Sequence, residues 1–126
     1  MTAERPRDRL GRPLPPDAPS DQRGPDVPSI DGLSDPQVWT LAWNSYLQGL
    51  PFHAHEICEQ RWRTCAEQDR LMWKALAQWG AAEVHHARGN DEGARRLAQR
   101  ALEGLATGSD ADLPLDLARA RCRSLR

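Results

Sequence analysis

Proline and tryptophan divide this chain into two unlike parts. Seven of the ten prolines (Pro6, Pro13, Pro15, Pro16, Pro19, Pro25 and Pro28) precede Ile30, interleaved with Arg, Asp, Ser and Gly. All five tryptophans (Trp39, Trp43, Trp62, Trp73 and Trp79) lie beyond it. Proline lacks a backbone donor and cannot continue a helix, and a stretch with almost no large apolar side chains cannot bury a core. Residues 1–32 therefore read as a disordered or extended tail. Within it, Arg12-Pro13-Leu14-Pro15-Pro16 is a short polyproline-type segment whose simplest reading is solvated chain. The folded part is expected over residues 33–126.

From Ser34 onward the apolar residues recur at helical spacing. Ser34, Pro36 and Gln37 form a capping-box start, after which Trp39, Trp43, Tyr46, Leu47 and Leu50 repeat along one side, and Gly49 with Pro51 ends this helix near Leu50. A second helix is predicted from about Phe52 to Ala66. A third runs from about Asp69 to Arg88, with Met72, Leu76 and Trp79 on one side. Gly89-Asn90-Asp91 reads as a C-terminal glycine followed by a new N-cap. The fourth helix carries the stripe Ala94, Leu97, Ala98, Ala101, Leu102 and Leu105 down to a break at Gly108. A last helix starts near Asp112 and Pro114, with Leu115, Ala118, Cys122 and Leu125 on one face. No segment alternates with a period of two, so the expected fold is all-α: a compact bundle of about five helices.

Length and charge restrict the function. At 126 residues, 39% hydrophobic and 28% charged, the chain has material for one small domain. Seventeen Lys and Arg against eighteen Asp and Glu remove the electrostatic basis for a nucleic-acid or anionic-membrane partner. No apolar run approaches the roughly 20 residues of a membrane helix, and the N-terminus lacks the apolar stretch of a secretory signal, so a cytoplasmic location is expected. Cys58, Cys65 and Cys122 are odd in number and in no metal-knuckle spacing, which fits a reducing compartment, and Cys58 and Cys65 read as small core hydrophobes. A core built from about 94 residues is marginal alone, which makes a homodimer or another protein the expected kind of partner.

Polar residues stand where the second helix should be apolar. At 100° per residue, His55, Cys58, Glu59, Trp62 and Ala66 share one arc, and His55 and Glu59, one turn apart, can touch or jointly hold a third object. An imidazole nitrogen and a carboxylate from one helical turn are a ligand pair that bundles use for first-row metals, with more ligands arriving from facing helices. The bland alternative is a buried hydrogen-bonded pair, since a carboxylate on a core-facing stripe needs a cation, a metal or donors. The third helix adds Gln78 and His85, seven residues apart, with Ala81 and Ala82 keeping that side lean enough for close helix approach. If it faces the second helix, His55, Glu59 and His85 resemble a two-His, one-carboxylate set for a divalent metal ion of unknown identity. His86 is expected to pair with Glu83 at the surface, and His53 to point elsewhere.

Other chemistry is absent from the sequence. There is no glycine-rich phosphate loop and no G-x-S-x-G elbow, and Glu59 stands where the second histidine of an H-E-x-x-H helix would follow His55-Glu56. A thiol on a core-facing stripe, such as Cys58, is ordinarily inert.

The run Gly49-Leu50-Pro51-Phe52-His53-Ala54-His55-Glu56-Ile57-Cys58-Glu59, followed by Trp62-Arg63, resembles the domain of unknown function 309 family, whose signature is H-x-x-x-E-x-x-W/Y. His55, Glu59 and Trp62 fill the three signature positions. Leu76-Ala77-Gln78, His85, Arg88-Gly89-Asn90 and Gly93-Ala94 look like its second block, and the resemblance covers about Trp39 to Leu105. It implies a compact bacterial or archaeal helical protein without an established function, for which metal binding through the signature is a suggestion. Glu83 departs from it, standing where similar sequences look apolar.

Two readings follow. In the first, His55, Glu59 and His85 hold a divalent metal, with Gln78, Glu56 and Arg63 around them and the Trp62 ring restricting water. The residues do not decide whether such a site is catalytic. In the second, the chain is a non-catalytic interaction module: the third and fourth helices resemble one tetratricopeptide unit, the His55-Glu59 pair is a structural clasp, and an exposed Trp39 or Trp43 face meets a partner.

Overall fold

The computed structural model describes residues 6–107 and 113–126. Among these residues there are five α-helices and no β-strand: α1 (Asp35–Leu47), α2 (Pro51–Thr64), α3 (Arg70–Ala87), α4 (Asp91–Thr107) and α5 (Asp116–Leu125). The all-α expectation holds, with helix ends within a few residues of those predicted. The break at Gly108 and the start at Asp112 lie outside the described residues.

Local chemistry sets the helix boundaries. The Ser34 side chain accepts from the Gln37 N–H while the Gln37 side chain accepts from the Ser34 N–H, giving the predicted capping box with Pro36 in the first turn of α1. Gly49 takes the left-handed backbone (φ 79°) that reverses the chain into Pro51 at the start of α2. Between α3 and α4, Gly89 is again left-handed and Asn90 Oδ1 accepts from the Gly93 N–H, as a C′ glycine and an N-cap should.

Helix α3 runs through the centre, packed by α2 on one side, α4 on another and α5 behind. Trp73, Leu76 and Trp79 of α3, Ile57 and Cys58 of α2, Leu105 of α4 and Ala118 and Cys122 of α5 are completely enclosed. Each enclosed Leu or Ile contributes on the order of 2 kcal/mol relative to exposure. Trp39, Trp43 and Trp79 form a cluster rather than a surface. Trp79 lies edge-on to Trp39 (5.4 Å between centroids) and stacks on Trp43 (5.6 Å), and Tyr46 closes the group. Trp39 is 2% exposed, so the exposed Trp39 face expected of an interaction module is not present: it is turned inward onto α3. Leu47, expected on the same stripe, is instead 63% exposed at the last residue of α1.

Glu83 explains itself once α5 is in place. It is 2% exposed and accepts two hydrogen bonds from Arg121 (2.8 Å each) and one from the Trp79 indole N–H (3.0 Å). The Arg121 guanidinium also lies over the Tyr46 ring. A charge at an otherwise apolar position is thus matched by a bidentate partner 38 residues away. His86 therefore does not pair with Glu83; its nearest carboxylate is Asp91, at 3.6 Å.

The expected tail comprised residues 1–32, of which 1–5 lie outside the described part. Residues 6–33 hold a short 3-10 turn at Ser20–Gln22 and an isolated Arg7–Pro13 bridge, and otherwise follow an irregular path along α2. Arg88 donates twice to the Leu10 carbonyl, His53 Nε2 donates to the Pro25 carbonyl (2.8 Å), Gln60 donates to Pro28, and Arg61 to Leu33. Ile30 enters the core. Gly11 (φ 81°) lies directly on the Phe52 ring, where a Cβ would stand 2.3 Å from Cδ1; only glycine permits that approach.

Candidate metal centre

The site begins with the crossing of α2 and α3. A Cβ on Gly80 would stand 2.5 Å from the Cα of His55 and 2.7 Å from its backbone N, so the missing side chain lets the two helices meet backbone to backbone at this point. The lean surface expected at Ala81 and Ala82 is centred one residue earlier. At this separation His55 Nδ1 reaches the Ala77 carbonyl oxygen at 2.9 Å. A helical carbonyl keeps a second lone pair after its own helix bond and can accept the imidazole N–H.

That bond fixes the ring. A carbonyl oxygen only accepts, so Nδ1 carries a hydrogen, and in the neutral ring Nε2 is then a bare lone pair. Nε2 points at Glu59 Oε2, 3.0 Å away. A lone pair facing a carboxylate oxygen at this distance requires a cation between or upon them, either a proton or a metal ion. Glu59 Oε1 is held by Arg63, which donates to it from one turn further along α2.

Glu56 completes the group. One ligand atom from each of His55, Glu56 and Glu59 lies within 4.8 Å of the others, and among the described residues no other such trio of His, Cys, Asp or Glu exists. The His55 and Glu59 side chains are 24% and 22% exposed, so the group opens to water on one side and is walled by α3 on the other.

The remaining predicted residues are placed around this group. Asn90 Nδ2 lies 2.9 Å from His85 Nδ1, and its amide orientation is fixed because Asn90 Oδ1 is used by Gly93 N–H. The amide N–H therefore donates to His85 Nδ1, which leaves the hydrogen of a neutral His85 on Nε2. His85 shares with His55 the wall of a small pocket of about 210 Å³ but does not join the trio. Gln78 is half-buried and makes no hydrogen bond to His55 or Glu59 among the described residues. Trp62 is half-buried against the core with Lys74 Nζ 5.9 Å over its ring, contacts that tie it to α3. The three cysteines are free, and burial pushes Cys58 and Cys122 well up, Cys122 to about 12, so neither offers a thiolate.

Sequence reasoning ranked Glu56 as surroundings and missed Gly80. Glu56 and Glu59 are three residues apart and so share a face, a signal that was available. Nothing local marks Gly80, whose role appears only when the crossing point is known.

The model of the family described as Domain of unknown function (DUF309) matches residues 39–97. This segment runs from within α1 to the middle of α4, contains the whole trio, and is similar to that family. No curated protein and no solved structure matches the chain.

Proposed function

We propose that this protein binds a divalent first-row metal ion through His55 Nε2 and the carboxylates of Glu59 and Glu56. The observation that carries the reading is the tautomer imposed by Ala77: with Nδ1–H committed to the carbonyl, Nε2 is presented as a ligand lone pair beside a carboxylate oxygen. An imidazole with its other nitrogen fixed by a carbonyl, plus carboxylate oxygens, suits zinc, iron or manganese. Glu56, rather than His85, is the third ligand, because His85 accepts from Asn90 through Nδ1 and keeps its hydrogen on Nε2. Arg63 steadies Glu59, and the exposed side of the trio leaves coordination positions facing water. An ion held with open positions supplies Lewis acidity to an approaching anion.

The competing reading is a proton-bridged clasp, favoured by the 3.0 Å separation of His55 Nε2 and Glu59 Oε2 and by the Arg63 contact. Thermal melting of chelator-treated protein with added zinc, manganese or ferrous ion separates the two. Binding predicts a rise of about 5 °C or more at saturating metal, absent in Glu59→Gln. No rise with any of the three metals leaves the clasp.

A further inference from the structure

We propose that the pocket lined by both His55 and His85 is a binding site for a small organic anion, a carboxylate or a phosphate monoester with an apolar body. Its walls include Arg7, Arg88, His85, Phe52, Val84 and His55. Two guanidinium groups stand here without a neutralising partner: among the described residues no carboxylate lies within ion-pairing distance of Arg7 or Arg88. Their hydrogen bonds go to backbone carbonyls instead, Arg7 Nη1 to Gly11 and Arg88 Nε and Nη2 to Leu10. A guanidinium has five donors, so each retains N–H groups beyond those bonds. Arg12 adds to the positive field and Asp8 opposes it; partial burial together with the neighbouring arginines pushes Arg88 below its ordinary value, a strain that an anion relieves.

The other walls complete the recognition. His85 brings a donor, since Asn90 holds its Nδ1 as the acceptor and leaves Nε2–H. Phe52 lies under the Arg7 guanidinium (4.8 Å to the ring centroid) and, with Val84, gives a flat apolar surface. A volume near 210 Å³ admits a phosphate or carboxylate with a few carbon atoms. Of the two carboxylates of the trio, Glu59 is already paired with Arg63. The site goes beyond the metal reading and does not require it.

The test uses the full chain after chelator treatment, titrated with inorganic phosphate, phenyl phosphate and benzoate and followed by two-dimensional NMR. Saturable shifts centred on His85, Phe52 and Arg88 are expected for phenyl phosphate or benzoate, and the tighter of the two identifies the headgroup. Loss of one charge-assisted bond lowers affinity about tenfold or more, so Arg88→Gln and Arg7→Gln are each expected to weaken binding by that factor, with Arg96→Gln on the exposed face of α4 unchanged. Arg88→Lys keeps the charge and a donor for Leu10, and retains most of the affinity. Absence of saturable binding with all three probes overturns the proposal. So does unaltered affinity in Arg7→Gln or in Arg88→Gln, either of which takes that guanidinium out of the site. Because no metal is present, none of these results bears on the metal reading.

Discussion

Gly80 and His55 meet backbone to backbone: a Cβ on Gly80 would stand 2.5 Å from the His55 Cα. The contact sets both the crossing of α2 and α3 and the reach of His55 Nδ1 to the Ala77 carbonyl, 2.9 Å away. Gly80→Ala must therefore push two backbones apart, with no flexible side chain to absorb the shift. The expected cost is about 2–3 kcal/mol in chemical denaturation, the upper range for overpacking, together with loss of any metal-dependent rise in melting temperature. A Gly80→Ala protein as stable as wild type contradicts the close approach.

The buried pair between α3 and α5 predicts an asymmetry. Arg121→Met strands the Glu83 carboxylate, which is 2% exposed, and is expected to cost about 3–5 kcal/mol. Glu83→Gln costs less, since the Arg121 side chain is 29% exposed and can turn to water. The double variant Glu83→Leu with Arg121→Met is expected to recover most of the loss, because two apolar groups need no partner. A denaturation cycle over these variants measures the coupling.

Residues 6–32 are expected to stay docked in solution through Gly11 on Phe52 and Arg88 on the Leu10 carbonyl. Gly11→Ala places a methyl group on the Phe52 ring at a left-handed φ and should free the segment. Limited proteolysis reads this directly: slow cleavage before residue 30 in wild type and cleavage at least several-fold faster in the variant. Equal, fast cleavage in both would mean that the segment is not held.

The thiols differ in environment. Burial pushes Cys122 up from 9.0 to about 12 and raises Cys58 further, while Cys65 is only half-buried. In native protein at pH 8, a thiol reagent is expected to modify Cys65 first and to reach Cys58 and Cys122 only on unfolding. The sign of the shift adds a pH dependence. A thiol kept protonated by the fold favours the native state below about pH 9, and that contribution is lost as pH rises toward 12. Melting temperature should therefore fall over that range, and Cys122→Ala should flatten the fall. Rapid reaction of all three thiols contradicts the packing.

The parts of this fold that were legible in the sequence are those decided within one or two turns. Ser34 with Gln37, Gly49 with Pro51, and Gly89 with Asn90 are local devices, and each ends or begins a helix where it was expected. The His55–Glu59 pair was legible for the same reason, since an i, i+4 spacing fixes proximity once the helix is granted. What depended on the packing of distant segments was not legible. Glu83 looked anomalous because its partner is 38 residues away on α5, and Trp39 looked available because nothing in α1 reveals that Trp79 will cover it. The tautomers of His55 and His85, on which the ligand assignment turns, are set by Ala77 and Asn90 and not by the histidines themselves.

The central claim is that His55 Nε2, Glu59 and Glu56 together hold a metal. The most direct measurement is elemental analysis of untagged protein purified without chelator, beside His55→Ala and Glu59→Gln variants checked for folding. Glu59→Gln is suited to this, because its amide N–H can donate to the bare Nε2 and keep the two side chains together without the charge. The account predicts close to one equivalent of a first-row metal in wild type and almost none in either folded variant. Metal-free wild-type protein that also takes up no zinc, iron or manganese from solution, or metal retained undiminished in both variants, would contradict it.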